Sequence, residues 1–317
     1  MVGQVDATIA AALLFALASL ARHRLSPTLR SAILLIALVR IVLPAFIQSP
    51  WSEAAVDLPT VDDTRLFVSG ILQDDRAKYV FGIAASVSLF LLARLARQMR
   101  NSRSQLMATS SPAPAWLEHR ARDLAGDSTL ASTIEVRIAA GEVGPLAAGL
   151  RRPLIILPAA AIGNLDPVAL DAALAHEIAH HANRDLIWIA TARALAAIAW
   201  FNPLAHVITR AITASREDGS DDWALARTSN DAFAYAQALL KSARVAAEGG
   251  AAFAAGAHPM GGRLRRLLDQ HTARDRRLGP LSVAAILIVI TLAIPGAHMP
   301  ESSSARDSER IVIVIRK

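Results

Sequence analysis

Four runs of apolar residues stand out along the chain: Val5–Ala21, Ala32–Ile47, Tyr79–Ala93 and Leu281–Ala297. Each approaches the roughly 20 residues, about 17 at the short end, that cross a bilayer core. Arginines flank three of them, so the pattern predicts membrane-spanning helices at about 5–21, 31–48, 78–97 and 281–298 rather than buried core helices. The first run is read as a retained span and not a signal peptide, because Met1–Asp6 carries no Lys or Arg and the positive charge follows the run at Arg22, Arg24 and Arg30. The connector from Gln48 to Lys78 holds six acidic residues (Glu53, Asp57, Asp62, Asp63, Asp74, Asp75) against three basic ones (Arg65, Arg76, Lys78). Arg94, Arg97, Arg100 and Arg103 follow the third run, and Arg263, Arg265, Arg266, Arg274, Arg276 and Arg277 precede the fourth. With basic connectors inside, the expected topology has the N-terminus outside, a membrane domain over 1–97 and a cytoplasmic domain over 98–280. A fourth span over 281–298 and a short extracytoplasmic tail over 299–317 complete it. Arg40, inside the second run, is read as a snorkelling side chain, with a functional ion pair as the alternative.

Within the cytoplasmic segment, Asn101–Pro114 is rich in Ser, Pro and Ala and reads as a linker. Trp116–Leu124 has a helical pattern, and Ile134–Ile138 alternates like a strand. Leu154, Ile155, Ile156 and Leu157 form a short apolar strand between Pro153 and Pro158, and proline at both ends suits a sheet edge. Beyond Asp166 the pattern is helical. The expected fold is mainly α: four transmembrane helices plus a cytoplasmic α+β domain with a small sheet.

Composition supports the membrane. The chain is 53% hydrophobic, 19% charged, and has a mean hydropathy of +0.37. The net charge of +6 fits a membrane surface or nucleic acid, and the apolar excess favours lipid, so no direct nucleic-acid partner is expected. The arginines at 263–277 are accordingly assigned to anionic headgroups. The absence of cysteine removes disulfides, thiol nucleophiles and thiolate metal sites. Any metal must be held by histidine and carboxylate.

The chemistry lies at His176-Glu177-Ile178-Ala179-His180. Asp166 is a good N-cap with Pro167 at the first helical position, and Ala169–Ala182 is strongly helix-forming. The spacing puts His176 and His180 one turn apart on one face, able to grip one metal, with Glu177 placed as general base toward a water there. Six residues past His180 stands Leu186, which excludes a third histidine ligand at that spacing. Asp185–Trp200 reads as a second helix, broken at Phe201-Asn202-Pro203, and a third helix then carries Glu217 and, one turn on, Asp221. Glu217 is the expected third ligand. Asp221 is expected to accept a hydrogen bond from the distal nitrogen of a ligating histidine. The competing reading of Glu217 is an exposed carboxylate paired with Arg210 or Arg216. His181 is read as a surface or packing residue, His206 and His258 as structural with stabilisation of an oxyanion as the alternative, and Asp185 has no assigned role.

These residues resemble the BlaR/MecR-type membrane zinc metallopeptidases, the antirepressor peptidases of beta-lactam sensing. The matching stretches are Gly144–Gly149, Pro153–Pro158, the HEIAHHANRDLIW of 176–188, the AWFNPL of 199–204 and the REDGSDDWAL of 216–225. The order of three spans, peptidase and one span matches as well. The resemblance implies a gluzincin-type zinc endopeptidase facing the cytoplasm, with Leu154–Leu157 as the edge strand that takes an extended peptide by strand addition. The best-known relatives carry a penicillin-binding domain after the last span; about 20 residues follow residue 297 here, so the peptidase and not beta-lactam sensing is expected.

The expected function is therefore an integral-membrane zinc endopeptidase of the cell's inner membrane. Its expected substrate is a cytoplasmic protein or peptide, a transcriptional repressor being one candidate; its expected partners are membrane lipid and, in one arrangement, a second copy. Two alternatives are a quality-control peptidase of the HtpX type and a non-catalytic transducer. Retention of His176, Glu177, His180 and Glu217 argues against the latter.

Overall fold

A computed structural model describes residues 2–43, 75–126, 129–140, 143–228, 231–248 and 260–269. The expected fourth span, the tail, His258 and most of the acidic connector lie outside the described residues. The described chain is mostly helical with a small mixed sheet.

Up to Ala108 the described residues lie mostly in long helices: α1 (Val2–Leu20), α2 (Pro27–Val42) and α3 (Asp75–Ala108). Ser26 caps α2 by accepting from the Leu29 N–H, and Pro27 fits the first turn, where no N–H is needed. Among the described residues, Lys78–Ala108 is the helix long and apolar enough to cross a membrane. Its Tyr79, Val80, Phe81, Ile83, Leu89 and Phe90 are each more than 60% exposed. At 34 residues, α3 reaches about 50 Å, more than a bilayer core requires. It runs on through the stretch expected as a linker, and Leu106 and Met107 at its end pack on the sheet. Arg40 is only 5% exposed, so it is buried in the protein instead of snorkelling to a surface.

The sheet comes next in the chain. Its strands are β1 (Ser110–Pro112), β2 (Glu135–Ala139), β3 (Leu146–Ala148) and β4 (Leu154–Pro158), in spatial order β1-β2-β4-β3. Helices α4 (Ala115–Ala125) and α5 (Thr129–Thr133) connect β1 to β2. β4 is parallel to β2 and antiparallel to β3, and it is wholly buried. The expectation of an edge strand at Leu154, Ile155, Ile156 and Leu157 is thus corrected. Ile155 and Leu157 enter the main core with the helices, while Leu154 and Ile156 face the end of α3. A strand covered on both faces needs an unbroken apolar run, and that signal outweighs the flanking prolines. Full burial of each such side chain is worth about 1.5–3 kcal/mol. The outer edge beside β4 belongs to β3. Gly149, at φ +82°, makes the turn between them, where a Cβ would meet the Arg152 carbonyl oxygen at 2.2 Å.

The rest is helical: α6 (Ala159–Asn164), α7 (Pro167–Ala182), α8 (Asp185–Ile198), α9 (Pro203–Arg227), α10 (Ala232–Glu248) and α11 (Met260–Leu268). Two apolar cores organise them. One joins the sheet to α4, α7, α10 and α11. The other joins Ala11, Leu34, Leu38 and Ile41 of α1 and α2 to Ala192, Ala196, Ala205, Ile208 and Ile212 of α8 and α9. Helix α9 takes part in both cores, through Ile208 and Ile212 in its first half and Ala224 and Leu225 in its second.

Candidate metal centre

Helix α7 presents the two histidines. Asp166 caps it, its Oδ1 accepting from the Ala169 N–H at 2.8 Å, and Pro167 begins it, as the sequence predicts. The helix stops after Ala182, and Arg184 takes a left-handed conformation at φ 57°. That bend, rare for a residue with a side chain, turns the chain so that Asp185 comes back under His180. Helix α9 starts at an Asn202 cap that accepts from the Leu204 N–H, and it brings Glu217 opposite the histidines.

The side chains of His176, His180 and Glu217 converge, with one potential ligand atom of each within 4.8 Å of the others. His176 Nε2 lies 3.4 Å from Glu217 Oε2, and His180 Nε2 lies 3.9 Å from Glu217 Oε1. The far side of each ring is held by a different carboxylate. His176 Nδ1 is 3.1 Å from Asp221 Oδ1, and His180 Nδ1 is 2.9 Å from Asp185 Oδ2. With each Nδ1 turned to its carboxylate, the Nε2 atoms of both rings face Glu217. Two imidazoles and one carboxylate, with no sulfur, are a donor set suited to zinc. Glu217 faces the histidines and has Arg263 at 3.7 Å; the alternative pairing with Arg210 or Arg216 is not adopted.

The two supporting carboxylates are themselves anchored. Asp221 accepts from Arg263 Nη2 at 2.6 Å and Nε at 2.8 Å, and from the Tyr235 hydroxyl at 3.1 Å. Asp185, fully buried, accepts from Arg216 Nε at 2.5 Å and from the Ser220 hydroxyl at 2.6 Å. Arg216 also donates to the Asn183 carbonyl and to Thr28 of α2. The sequence reading assigns none of Asp185, Ser220, Arg216, Tyr235 and Arg263 to the site. Arg263 and Arg266, expected as lipid contacts, instead face protein carboxylates: Arg263 meets Asp221 and Glu217, and Arg266 pairs with Asp222. His181 bonds to the Leu154 carbonyl at 3.3 Å and ties α7 to β4. The exposed His206 bonds to the Trp200 carbonyl, away from the histidine pair.

These contacts set the proton affinities. Burial and Arg263 oppose charge on His176, but its bonds to Asp221 and Glu217 outweigh them and lift it to about 10. Burial opposes charge on His180 too, and the Asp185 hydrogen bond still raises it. Burial pushes Glu217 upward, yet His176, His180 and Arg263 together hold it down at about 2. Asp221 is likewise buried, and Arg263 keeps its carboxyl well below the usual range. Glu177, 7% exposed, is the carboxyl that goes the other way: burial raises it, only partly countered by the two histidines. The two neighbouring carboxyls are thus shifted in opposite directions, Glu177 upward by burial and Glu217 downward by the cations around it.

A His-Glu-x-x-His helix facing a downstream glutamate, each histidine backed by a carboxylate, is the arrangement of a metallopeptidase. The sequence model of the family described as BlaR1 peptidase M56 matches residues 1–267, and the chain belongs to that family. No curated protein matches it.

Proposed function

We propose that this chain is an integral-membrane zinc endopeptidase of gluzincin type that cuts a cytoplasmic protein, a transcriptional repressor being the first candidate. The observation that carries the reading is the convergence of His176, His180 and Glu217, with Asp221 and Asp185 fixing both rings. Those three residues would hold the zinc ion, which would supply Lewis acidity toward the scissile carbonyl and toward the attacking water. Glu177 takes the proton from the attacking water and hands it to the leaving amine, a task suited to its raised affinity. Arg263, fixed on Asp221, keeps positive charge beside Glu217. An extended peptide joins the sheet at β3, the edge strand beside β4.

The membrane arrangement belongs to the same reading: helices α1, α2 and α3 span the bilayer, a fourth span lies at 281–298, and the peptidase domain over 98–280 faces the cytoplasm with the N-terminus outside. The exposed apolar faces of α1 and α3 support it. Reporter fusions at Thr28 and Asn101 are expected to report cytoplasm and a fusion at Asp62 the outside. A cytoplasmic signal at Asp62 would overturn the topology. For the activity, the full chain in lipid vesicles is expected to cut a candidate repressor in a way that a chelator abolishes and zinc restores. Tight binding of that protein without cleavage would favour a transducer instead.

A further inference from the structure

Arg193 and Arg210 bracket sixteen residues, Ala194–Thr209, that contain no Asp, Glu, Lys or Arg. They form the end of α8, the turn at Ala199–Asn202 and the start of α9. This hairpin does not project freely from the peptidase domain. Its Ala196, Ala205 and Ile208 share a buried core with Ala11, Leu34 and Leu38 of α1 and α2. Its depth can be read from its contacts. Arg193 lines a cleft with Leu95, Gln98 and Met99 at the basic end of α3. Ile198 meets Ser88, further along α3, and Asn202 at the tip meets Thr8 of α1. Asn202 is eight residues from Arg210, about 12 Å along a helix, and Thr8 is fourteen residues from Arg22, about 21 Å. The tip therefore lies roughly 12–21 Å past the arginines that mark the basic side, against a hydrocarbon core of about 30 Å.

Four carbonyls of the turn, those of Ile198, Ala199, Trp200 and Asn202, are paired within the protein, while the buried Trp200 indole N–H has no partner among the described residues. Backbone that is not helical at membrane depth must have its polar groups satisfied by the protein. The Ile198 carbonyl accepts from the Ser88 hydroxyl at 3.3 Å, the Ala199 carbonyl from the Asn202 N–H at 2.9 Å, and the Trp200 carbonyl bonds to His206 Nε2 at 3.0 Å. The Asn202 carbonyl accepts from the Ala205 N–H at 3.1 Å, and its side-chain amide donates to Thr8. On the outer surface, Ile198, Phe201 and Val207 are each at least 40% exposed. The hairpin that carries them touches α3 at Ser88 and α1 at Thr8, helices whose Leu89, Phe90, Ile9 and Leu13 are likewise exposed.

We propose that residues 194–209 form a re-entrant hairpin that enters the bilayer from the cytoplasmic side, with Ile198, Phe201 and Val207 in contact with acyl chains. Arg193 and Arg210 then reach the headgroups at its mouth. The inference rests on reading α1, α2 and α3 as spans. Because Glu217 is two turns beyond Arg210 on the same helix, the hairpin holds the metal centre close to the membrane surface.

The chain has no cysteine, so single labels are clean. Phe201→Cys, Val207→Cys, Leu89→Cys on α3 and His119→Cys on α4 are each nitroxide-labelled in the full chain. The protein is reconstituted in phosphatidylcholine–phosphatidylglycerol vesicles, and spin relaxation by oxygen is compared with that by a water-soluble nickel chelate. The expected result is a high oxygen-to-nickel ratio at 89, 201 and 207 and a low one at 119. A high ratio at 89 with a low one at 201 and 207 would overturn the hairpin alone. Low ratios at all four positions would overturn the spanning helices and the hairpin with them. Labels at 201 and 207 shielded from both reagents would mean protein, not lipid, covers the surface, and would also overturn it.

Discussion

Replacing Glu177 with alanine is expected to leave zinc bound and to lower cleavage by about 10²–10⁴-fold, the usual cost of removing a general base. The three proposed ligand side chains remain in place, because Glu177 takes no part in the hydrogen bonds that orient them: His176 leans on Asp221 and His180 on Asp185. His176→Ala and Glu217→Ala are expected to behave differently, losing both metal and cleavage. The measurement is zinc content by elemental analysis and cleavage of a candidate repressor on the same detergent-solubilised preparations. Parental cleavage by Glu177→Ala with zinc bound would remove the base from the mechanism. Full zinc occupancy in both other variants would remove the ligand assignment.

The second large effect is expected at Asp185. Its carboxylate is fully buried between His180, Ser220 and Arg216, and Arg216 is itself 1% exposed. Removing one partner of a buried pair leaves the other charge uncompensated, at a typical cost of about 3–5 kcal/mol. Loss of the carboxylate that orients a ligating histidine adds roughly a 10–100-fold loss in metal affinity. Asp185→Ala should therefore unfold at a markedly lower temperature and bind zinc more weakly. Arg216→Ala separates the two effects: it should lose much of the stability, while His180 keeps its carboxylate and more of the zinc affinity. Equal zinc affinity in Asp185→Ala and the parent would show that Asp185 is structural alone.

The contrast between Asp221 and Asp185 shows what sequence can reveal. Asp221 is one turn from Glu217 on the same helix, so helical spacing alone places it near the site. Asp185 reaches His180 only because Arg184 adopts a left-handed conformation, which nothing in the identity of an arginine announces. Arg263 lies 42 residues beyond Asp221 on a separate helix, and its run of neighbouring arginines suggests a membrane surface. The two-histidine helix, its Asp166 cap and the Asn202 break are legible because each is a local signal of a few residues. The sheet is harder. β3 is three small or apolar residues, too short to show alternation, and without it β4 has the look of an edge. The serines at 101–108 suggest a linker, yet the hydroxyls of Ser102 and Ser104 bond back to carbonyls a turn earlier and the helix continues through them.

The seam between α2 and α9 bears on how the protein can be handled. Ser215 donates to the Pro27 carbonyl, Arg216 to Thr28, and Arg30 lies 3.8 Å from Asp218, all within four residues of Glu217. Above this polar collar, Ile208 and Ile212 are buried against the apolar face of α2. A fragment cut free at residue 98 would lose the surface that steadies the glutamate-bearing helix and would offer a bare greasy stripe to its neighbours. Transplanting the peptidase onto another membrane anchor should accordingly require carrying α1 and α2 along.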